Sequence, residues 1–146
     1  MYFKKLYLEF SRLSEYLTSF SLLFARLLIG YGFYEPAMRK WADINSVALW
    51  FDSIGIPFPT FSAYLASTAE TIGVVFLILG FLTRLISIPL IIVMITAIVT
   101  VHIGNGFSAG VNGFEIPLYY MVFLMVFTTF GPGRFSIDKM IFQEKK

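Results

Sequence analysis

Four apolar stretches of the chain are long enough, or nearly long enough, to cross a lipid bilayer as helices. They occupy about residues 18–38, 61–82, 85–103 and 115–130. A helix needs about 20 predominantly apolar residues to span a hydrocarbon core of roughly 30 Å. The fourth stretch reaches only about 24 Å at helical rise, so it is the weakest of the four predicted spans.

The composition agrees with a membrane protein and excludes a soluble domain of this size. Of the 146 residues, 58% are hydrophobic and only 14% are charged, whereas soluble domains contain roughly 45–50% apolar and about 25% charged residues. A domain this small cannot bury the excess, so the remaining apolar side chains must face lipid. We therefore predict an all-α fold, a four-transmembrane-helix bundle.

Three further segments complete the predicted organisation. Residues 1–17 form an amphipathic N-terminal segment, retained on the membrane surface because it lacks the apolar core and cleavage site of a signal peptide. Between the first two spans, a short interfacial helix is expected at about 45–54. Residues 135–146 form a polar C-terminal tail, which leaves 18–134 as the membrane domain.

The basic residues predict the orientation in the membrane. With four spans both termini share one side, which carries eight basic residues against two on the other. The positive-inside rule then places both termini in the cytoplasm, in a multi-pass protein of the bacterial plasma (inner) membrane. The eight are Lys4, Lys5, Arg12, Arg84, Arg134, Lys139, Lys145 and Lys146, and the two are Arg39 and Lys40.

Several kinds of site are excluded by residues that the chain lacks. It contains no cysteine and a single histidine. This rules out disulfides, thiolate zinc sites, cysteine-ligated iron–sulfur clusters and thiol redox chemistry carried by the chain itself. It also rules out a haem held by two histidines of this chain. The net charge of +2, with dispersed basic residues, gives no indication of nucleic-acid binding.

Two charged residues lie inside predicted spans, Arg26 in the first and Glu70 in the second. Either one left alone would cost on the order of 3 kcal/mol. Their depths, about 10 and 16 Å from the cytoplasmic edge, differ by less than an arginine side chain can reach. Small residues such as Gly30 and Ala66 let these helices approach, so we predict that Arg26 pairs with Glu70. The pair either fixes helix register or belongs to a polar cavity that holds a ligand or passes protons.

A second polar group lies near the outer ends of the spans: Glu35, Arg39, Lys40, His102, Asn105 and Glu115. Glu115 is expected to pair with Lys40 or Arg39. The simpler alternative is that these charges lie in the headgroup zone. His102 could exchange a proton near neutral pH, or bind Cu(I) with the thioethers of Met94, Met121 and Met125. Methionines in apolar helices usually only pack, so no metal site is predicted.

Four segments, in this order, resemble the DoxX family: "ARLLIGYGFYEPAMRKW", "WFDSIGIPFP", "AETIGVVFLILGFLTR" and "GPGRFSID". The resemblance covers about residues 22–140, and "SIPLIIVMITAIVTVHIGNGF" is similar to the HvfX-like branch, whose operons have been linked to copper-responsive modified peptides. The residues that match the family pattern are Arg26, Lys40, Glu70 and Arg84, and those that match only the branch are His102, Asn105 and Glu115.

The resemblance implies a four-helix membrane bundle and a link to redox complexes. Relatives include the small subunit of thiosulfate:quinone oxidoreductase and a mycobacterial member tied to a complex with a superoxide dismutase and a sulfurtransferase. The first hypothesis is a membrane subunit of such a complex, with a pocket for a quinone-like ligand. Glu70 and His102 would be its catalytic, proton-handling residues, and the ligand-binding residues would be Arg26, Lys40, Asn105 and Glu115.

Two other hypotheses remain open. The chain could be a non-enzymatic membrane anchor or assembly factor, in which Arg26 and Glu70 fix the bundle while a partner protein or a second copy docks on it. It could also be a small transporter or metal-handling protein that uses His102, Glu115 and the methionines. Substitution of Glu70 by Gln separates the first hypothesis from the anchor, because lost folding would indicate a structural role.

Overall fold

The computed structural model describes residues 2–142, and their regular structure is entirely helical, without strands. The predicted all-α fold is therefore confirmed. The helices are α1 (Tyr2–Ala42), α2 (Ile44–Ser53), α3 (Pro59–Leu79), α4 (Thr83–Ala97), α5 (Glu115–Phe130) and α6 (Ile137–Phe142). A π-helical turn at Ile98–His102 and short 3₁₀ turns at Ile103–Asn105 and Ala109–Val111 connect α4 to α5.

Three of the helical segments are long and apolar enough to cross a membrane. They are α1, α3, and α4 with its following turns to Asn105. The fourth, α5, is apolar but has only 16 residues, as the sequence predicted for residues 115–130. All four predicted spans therefore exist as helices.

Helix α1 is longer than the predicted first span. It runs without interruption for 41 residues, about 60 Å at helical rise. No break in the helix marks a boundary after residue 17, and Pro36 lies inside the helix rather than at its end. A proline in a membrane helix is tolerated because neighbouring helices and local adjustments compensate for the missing N–H bond.

The short helix α2 begins at an aspartate that caps it. Asp43 accepts hydrogen bonds from the backbone N–H of Ser46 at 3.1 Å and from the Ser46 hydroxyl at 2.6 Å. The side-chain bond, followed by the backbone bond, lowers the pKa of the Asp43 carboxyl below its ordinary value. The helix covers 44–53, against the predicted 45–54, so the short helix between the first two spans is confirmed, while its interfacial position stays a prediction.

The long helices form a ring in which α1 packs on α3, α3 on α4, and α4 on α5, while α2 lies against α3. The predicted closeness of the first two spans is confirmed at Gly30, where a Cβ atom would lie 3.1 Å from the Ile78 side chain and 3.5 Å from the Val74 carbonyl. The buried core consists of Leu22, Ile29, Phe33, Val74, Leu77, Ile86, Leu90, Leu124 and Phe127.

Candidate ligand-binding site

Glu70 is buried on α3 and forms an ion pair with Lys40 from the last turn of α1. The Lys40 Nζ lies 2.9 and 2.7 Å from the two carboxylate oxygens. The Glu70 side chain is only 3% exposed and that of Lys40 20%. The prediction that Glu70 pairs with Arg26 is therefore wrong. The antiparallel register of α1 and α3 places Glu70 beside Lys40 and puts Arg26 beside the last turn of α3.

Arg26 is fully buried and binds backbone oxygens instead of a carboxylate. Its guanidinium donates to the carbonyl of Leu77 at 2.8 Å, of Pro132 at 3.1 Å and of Phe135 at 2.5 Å. The last carbonyls of α3 have no partner within that helix, and residues 131–136 are not helical. A planar group with five N–H donors can therefore bond carbonyls of both segments at once. The depths of Arg26 and Glu70 in the bundle do not predict this arrangement, because the acceptors of Arg26 are uncharged backbone oxygens.

The turn after α3 completes this arrangement. Gly80 has a left-handed backbone (φ +67°), and the N–H groups of Gly80 and Phe81 bond back to Leu77 and Phe76 as in a Schellman motif. Asp138 of α6 accepts from the N–H groups of Leu82 at 2.6 Å and Thr83 at 3.0 Å, which caps the start of α4. We call Arg26, Gly80, Asp138 and segment 131–136 the Arg26 clamp.

A cavity of about 610 Å³ lies near the opposite end of the bundle. This volume falls within the range of small-molecule sites. Lys40 and Glu70 border the cavity, and α2 forms one of its walls. Most of the surrounding side chains are apolar or aromatic, and among them are Phe33, Trp50, Phe51, Leu65, Val93, Met94, Ile116, Pro117 and Tyr120. The cavity thus combines a buried charged pair with an apolar interior, which suits an amphipathic molecule.

One wall of the cavity depends on the absence of a side chain at Gly32. A Cβ atom there would overlap the hydroxyl end of Tyr120, whose ring also lies 5.4 Å from that of Phe33. The glycine therefore lets the Tyr120 ring lie directly on the backbone of α1. Trp50, Phe51 and Tyr120 were not among the predicted site residues. The adjacent aromatic residues Trp50 and Phe51 in the segment between the first two spans could have indicated an apolar binding surface.

His102 lies in the π-helical turn after α4 and borders the same cavity. Its Nδ1 lies 2.8 Å from the carbonyl oxygen of Asn112. Because a carbonyl only accepts hydrogen bonds, Nδ1 carries the proton in a neutral ring and Nε2 is left as an acceptor. The three predicted residues Lys40, Glu70 and His102 therefore border one cavity, although they come from three helical segments.

Asn105 and Glu115 hold the connection between α4 and α5 and do not border the cavity. The Asn105 amide donates to the Asn112 carbonyl at 3.1 Å, and Glu115 accepts from the backbone N–H of Ala109 at 2.9 Å. The predicted pairing of Glu115 with Lys40 or Arg39 is wrong. Arg39 instead pairs with Glu35 one helical turn away, at 2.5 Å on the exposed face of α1.

The methionines considered as metal ligands do not gather around His102. Met94 borders the cavity with His102, whereas Met121 and Met125 do not. Within residues 2–142, no group of three or more histidine, aspartate or glutamate side chains is placed to hold a metal ion.

Known proteins resemble this chain over most of its length. The family model DoxX matches residues 21–103. An uncharacterised protein of Haemophilus influenzae is 33% identical over 83% of this chain and 83% of its own length. An uncharacterised membrane protein of Mycobacterium tuberculosis is 32% identical over 83% of this chain and 81% of its own.

A more distant relative carries a functional name. It is a Bacillus subtilis protein named provisionally as the oxidoreductase CatD, 27% identical over 85% of this chain and 89% of its own length. No solved structure matches the chain.

Proposed function

This chain belongs to the DoxX family of membrane proteins, and on that premise we propose that its cavity binds an amphipathic molecule of the bilayer, an isoprenoid quinone or a compound of similar build. The observation that carries the proposal is the buried Lys40–Glu70 pair at the edge of a largely apolar cavity. A charged pair in an apolar bundle is costly, and such residues generally mark ligand or proton sites.

The proposed topology has four spans in a bacterial plasma membrane, with both termini in the cytoplasm. It is supported by the three long apolar helices and the shorter α5, and by the eight-to-two distribution of basic residues. In this orientation the Arg26 clamp lies at the cytoplasmic end. The cavity then lies in the outer half of the bundle, with α2 at the outer membrane surface.

The cavity offers complementary contacts to a quinone ring. An ammonium group has three N–H donors, and Lys40 uses two of them on Glu70, which leaves one for a ring carbonyl oxygen. The rings of Phe51 and Tyr120 provide flat apolar surfaces. An isoprenoid tail would leave the cavity along its apolar walls toward lipid.

Proton handling would fall to Glu70 and the unprotonated Nε2 of His102. Reduction of a quinone to a quinol takes up two electrons and two protons. The chain has no cysteine to carry electrons, so a partner protein would supply them. We therefore place the chain as a membrane subunit of a redox-linked complex, in line with the provisional oxidoreductase name of its Bacillus relative.

An anchor or assembly role is the second candidate, and one observation favours it. Nearly all described side chains in the first four turns of α1 are exposed, including Tyr2, Phe3 and Tyr7. Such a helix end could attach a partner protein or a second copy of the chain. In that case the Lys40–Glu70 pair would serve only to fix helix register.

The test is to identify small molecules that copurify in mild detergent with the wild type, with Glu70→Gln and with Glu35→Gln. Glu35 is a matched control because it is an exposed carboxylate in an ion pair of α1. We expect a quinone in the wild type and the control, and its loss from a Glu70→Gln protein that keeps its helical circular dichroism. A wild type that retains a partner chain but no small molecule would contradict the proposal and favour the anchor.

A further inference from the structure

A second cleft, of about 510 Å³, lies beside the Arg26 clamp. Three basic side chains border it: Arg84 at the start of α4, Arg134 after α5 and Lys139 on α6. We call it the basic cleft. It is separate from the cavity at Lys40 and Glu70, with which it shares no lining residue.

The basic side chains of this cleft are poorly neutralised by the part of the chain that the structure describes. Among the described residues, Asp138 is the one carboxylate that borders the cleft, and it uses both oxygens on the backbone N–H groups of Leu82 and Thr83. Arg84 donates one bond, at 3.1 Å, to the Thr128 carbonyl. Within residues 2–142, neither Arg134 nor Lys139 pairs with a carboxylate. The described lining of the cleft therefore carries a net positive charge.

Apolar side chains border the same cleft next to these charges. Leu22 lies in the bundle core, whereas Leu85 and Phe130 are 62% and 71% exposed on the outer surface of α4 and α5. A free anion would use only the basic part of such a surface. A molecule with an anionic group at one end and apolar chains at the other would use both parts.

We propose that the basic cleft binds an anionic phospholipid, with its phosphate on Arg134, Lys139 and the free N–H groups of Arg84. The acyl chains would then lie against Leu85 and Phe130. In the proposed topology the cleft faces the cytoplasmic leaflet, where each basic residue near the surface contributes roughly fivefold to the binding of anionic lipid. Removal of two of the three charges should lower binding about 25-fold.

The test is native mass spectrometry of the full chain in mixed micelles with equal amounts of phosphatidylglycerol and phosphatidylcholine. The test variant is Arg134→Gln/Lys139→Gln. Arg84 is left unchanged because it also bonds the end of α5. The control is Lys4→Gln/Lys5→Gln, which removes two basic residues from the exposed start of α1, outside the cleft.

We expect the wild type and the control to retain phosphatidylglycerol in preference to phosphatidylcholine, and the test variant to lose that preference. No preference in the wild type, or an equal preference in the test variant, would overturn the proposal. Displacement of the lipid by added inorganic phosphate would also overturn it, because the site would then recognise a free anion. A Glu70→Gln protein should keep the preference, so this result is independent of the quinone proposal.

Discussion

Arg26 and Lys40 are two basic residues on one helix, about 21 Å apart along its axis, and their surroundings differ in kind. Arg26 is completely buried and its bonds go to backbone carbonyls of two segments, the end of α3 and residues 131–136. Lys40 keeps part of its side chain accessible and bonds a carboxylate at the edge of a cavity. The planar, multi-donor guanidinium suits several fixed carbonyls, whereas an ammonium is a mobile point charge with a donor to spare.

Arg26 therefore belongs to a structural site and Lys40 to a candidate ligand site, although both match the family pattern. Both residues belong to the motifs that resemble DoxX proteins, yet only Lys40 faces a space that a ligand can enter. The turn "GFLTR" and the segment "GPGRFSID" meet at the Arg26 clamp, since the Asp138 N–H bonds the Gly80 carbonyl at 3.0 Å. A family motif can therefore record a requirement of folding and not of chemistry.

Substitution of Arg26 should have the largest effect on stability. Arg26→Met would leave the carbonyls of Pro132 and Phe135 without their donor and would leave Leu77 with only the Gly80 N–H. Each unsatisfied buried group costs about 1–3 kcal/mol. We expect a loss of at least about 2 kcal/mol, measured as a much lower unfolding temperature of the detergent-purified protein or as failed expression. Arg26→Lys should recover only part of it, because one ammonium cannot reach three separate carbonyls. A stable Arg26→Met protein would show that the clamp is dispensable.

A second test of the clamp changes the turn and leaves the arginine in place. At Gly80→Ala the new methyl group would approach the Arg26 Nη1 closely, and the residue would also keep a left-handed backbone. We expect a destabilisation of about 2 kcal/mol, measured from the unfolding midpoint. Gly104→Ala is the matched control, because nothing lies within 4 Å of a Cβ atom there. Equal effects at both positions would contradict a specific role of the turn.

At the cavity end, the ion pair should be replaceable for folding but not for ligand binding. Glu70→Gln leaves Lys40 without its carboxylate and should cost about 1–2 kcal/mol. The double variant Lys40→Met/Glu70→Met removes both charges, and a buried pair replaced by apolar residues is often neutral for stability. We expect the double variant to unfold at about the wild-type midpoint while it retains no quinone. If Lys40→Met/Glu70→Met is less stable than Glu70→Gln, the Lys40–Glu70 pair is required for folding, as we expect of the Arg26 clamp.

The helices of the bundle could be predicted from the sequence, because a helix that crosses a bilayer needs a long run of apolar residues. Residues 115–130 were predicted as the fourth span and form α5 with the same bounds. The short helix before the second span was predicted within one residue at each end. The existence and the ends of these helices depend on local composition and on Pro, Gly and Asp residues at the helix ends, all of which can be read from a single sequence.

The partners of the buried charges were harder to predict. The acceptors of Arg26 are backbone oxygens, which leave no sequence pattern, and two of them lie more than a hundred positions away. The available clue was the end of α3, since the last four carbonyls of a helix lack a partner within it and a Schellman turn supplies donors to only two of them. Lys40, Glu70 and His102 were predicted as site residues and do border one cavity, but their roles there stay predictions. The HvfX-like branch assignment likewise stays a prediction.

The smallest expected effect concerns Asp43, which caps α2, the helix that forms one wall of the cavity. The pKa of Asp43 is lowered in the folded protein by its bonds to Ser46, so the cap stabilises the helix above the unfolded-state pKa of about 3.9. That contribution should disappear as the pH falls through the lower folded-state pKa. Protection of the Ser46 amide against hydrogen exchange, relative to its intrinsic rate at each pH, should fall a few-fold in Asp43→Ala at neutral pH, and in the wild type only in acid. Asp52→Ala, at a carboxylate of the same helix that does not cap it, should leave the exchange unchanged. If it accelerates the exchange equally, the effect comes from the charge of α2 and not from the cap.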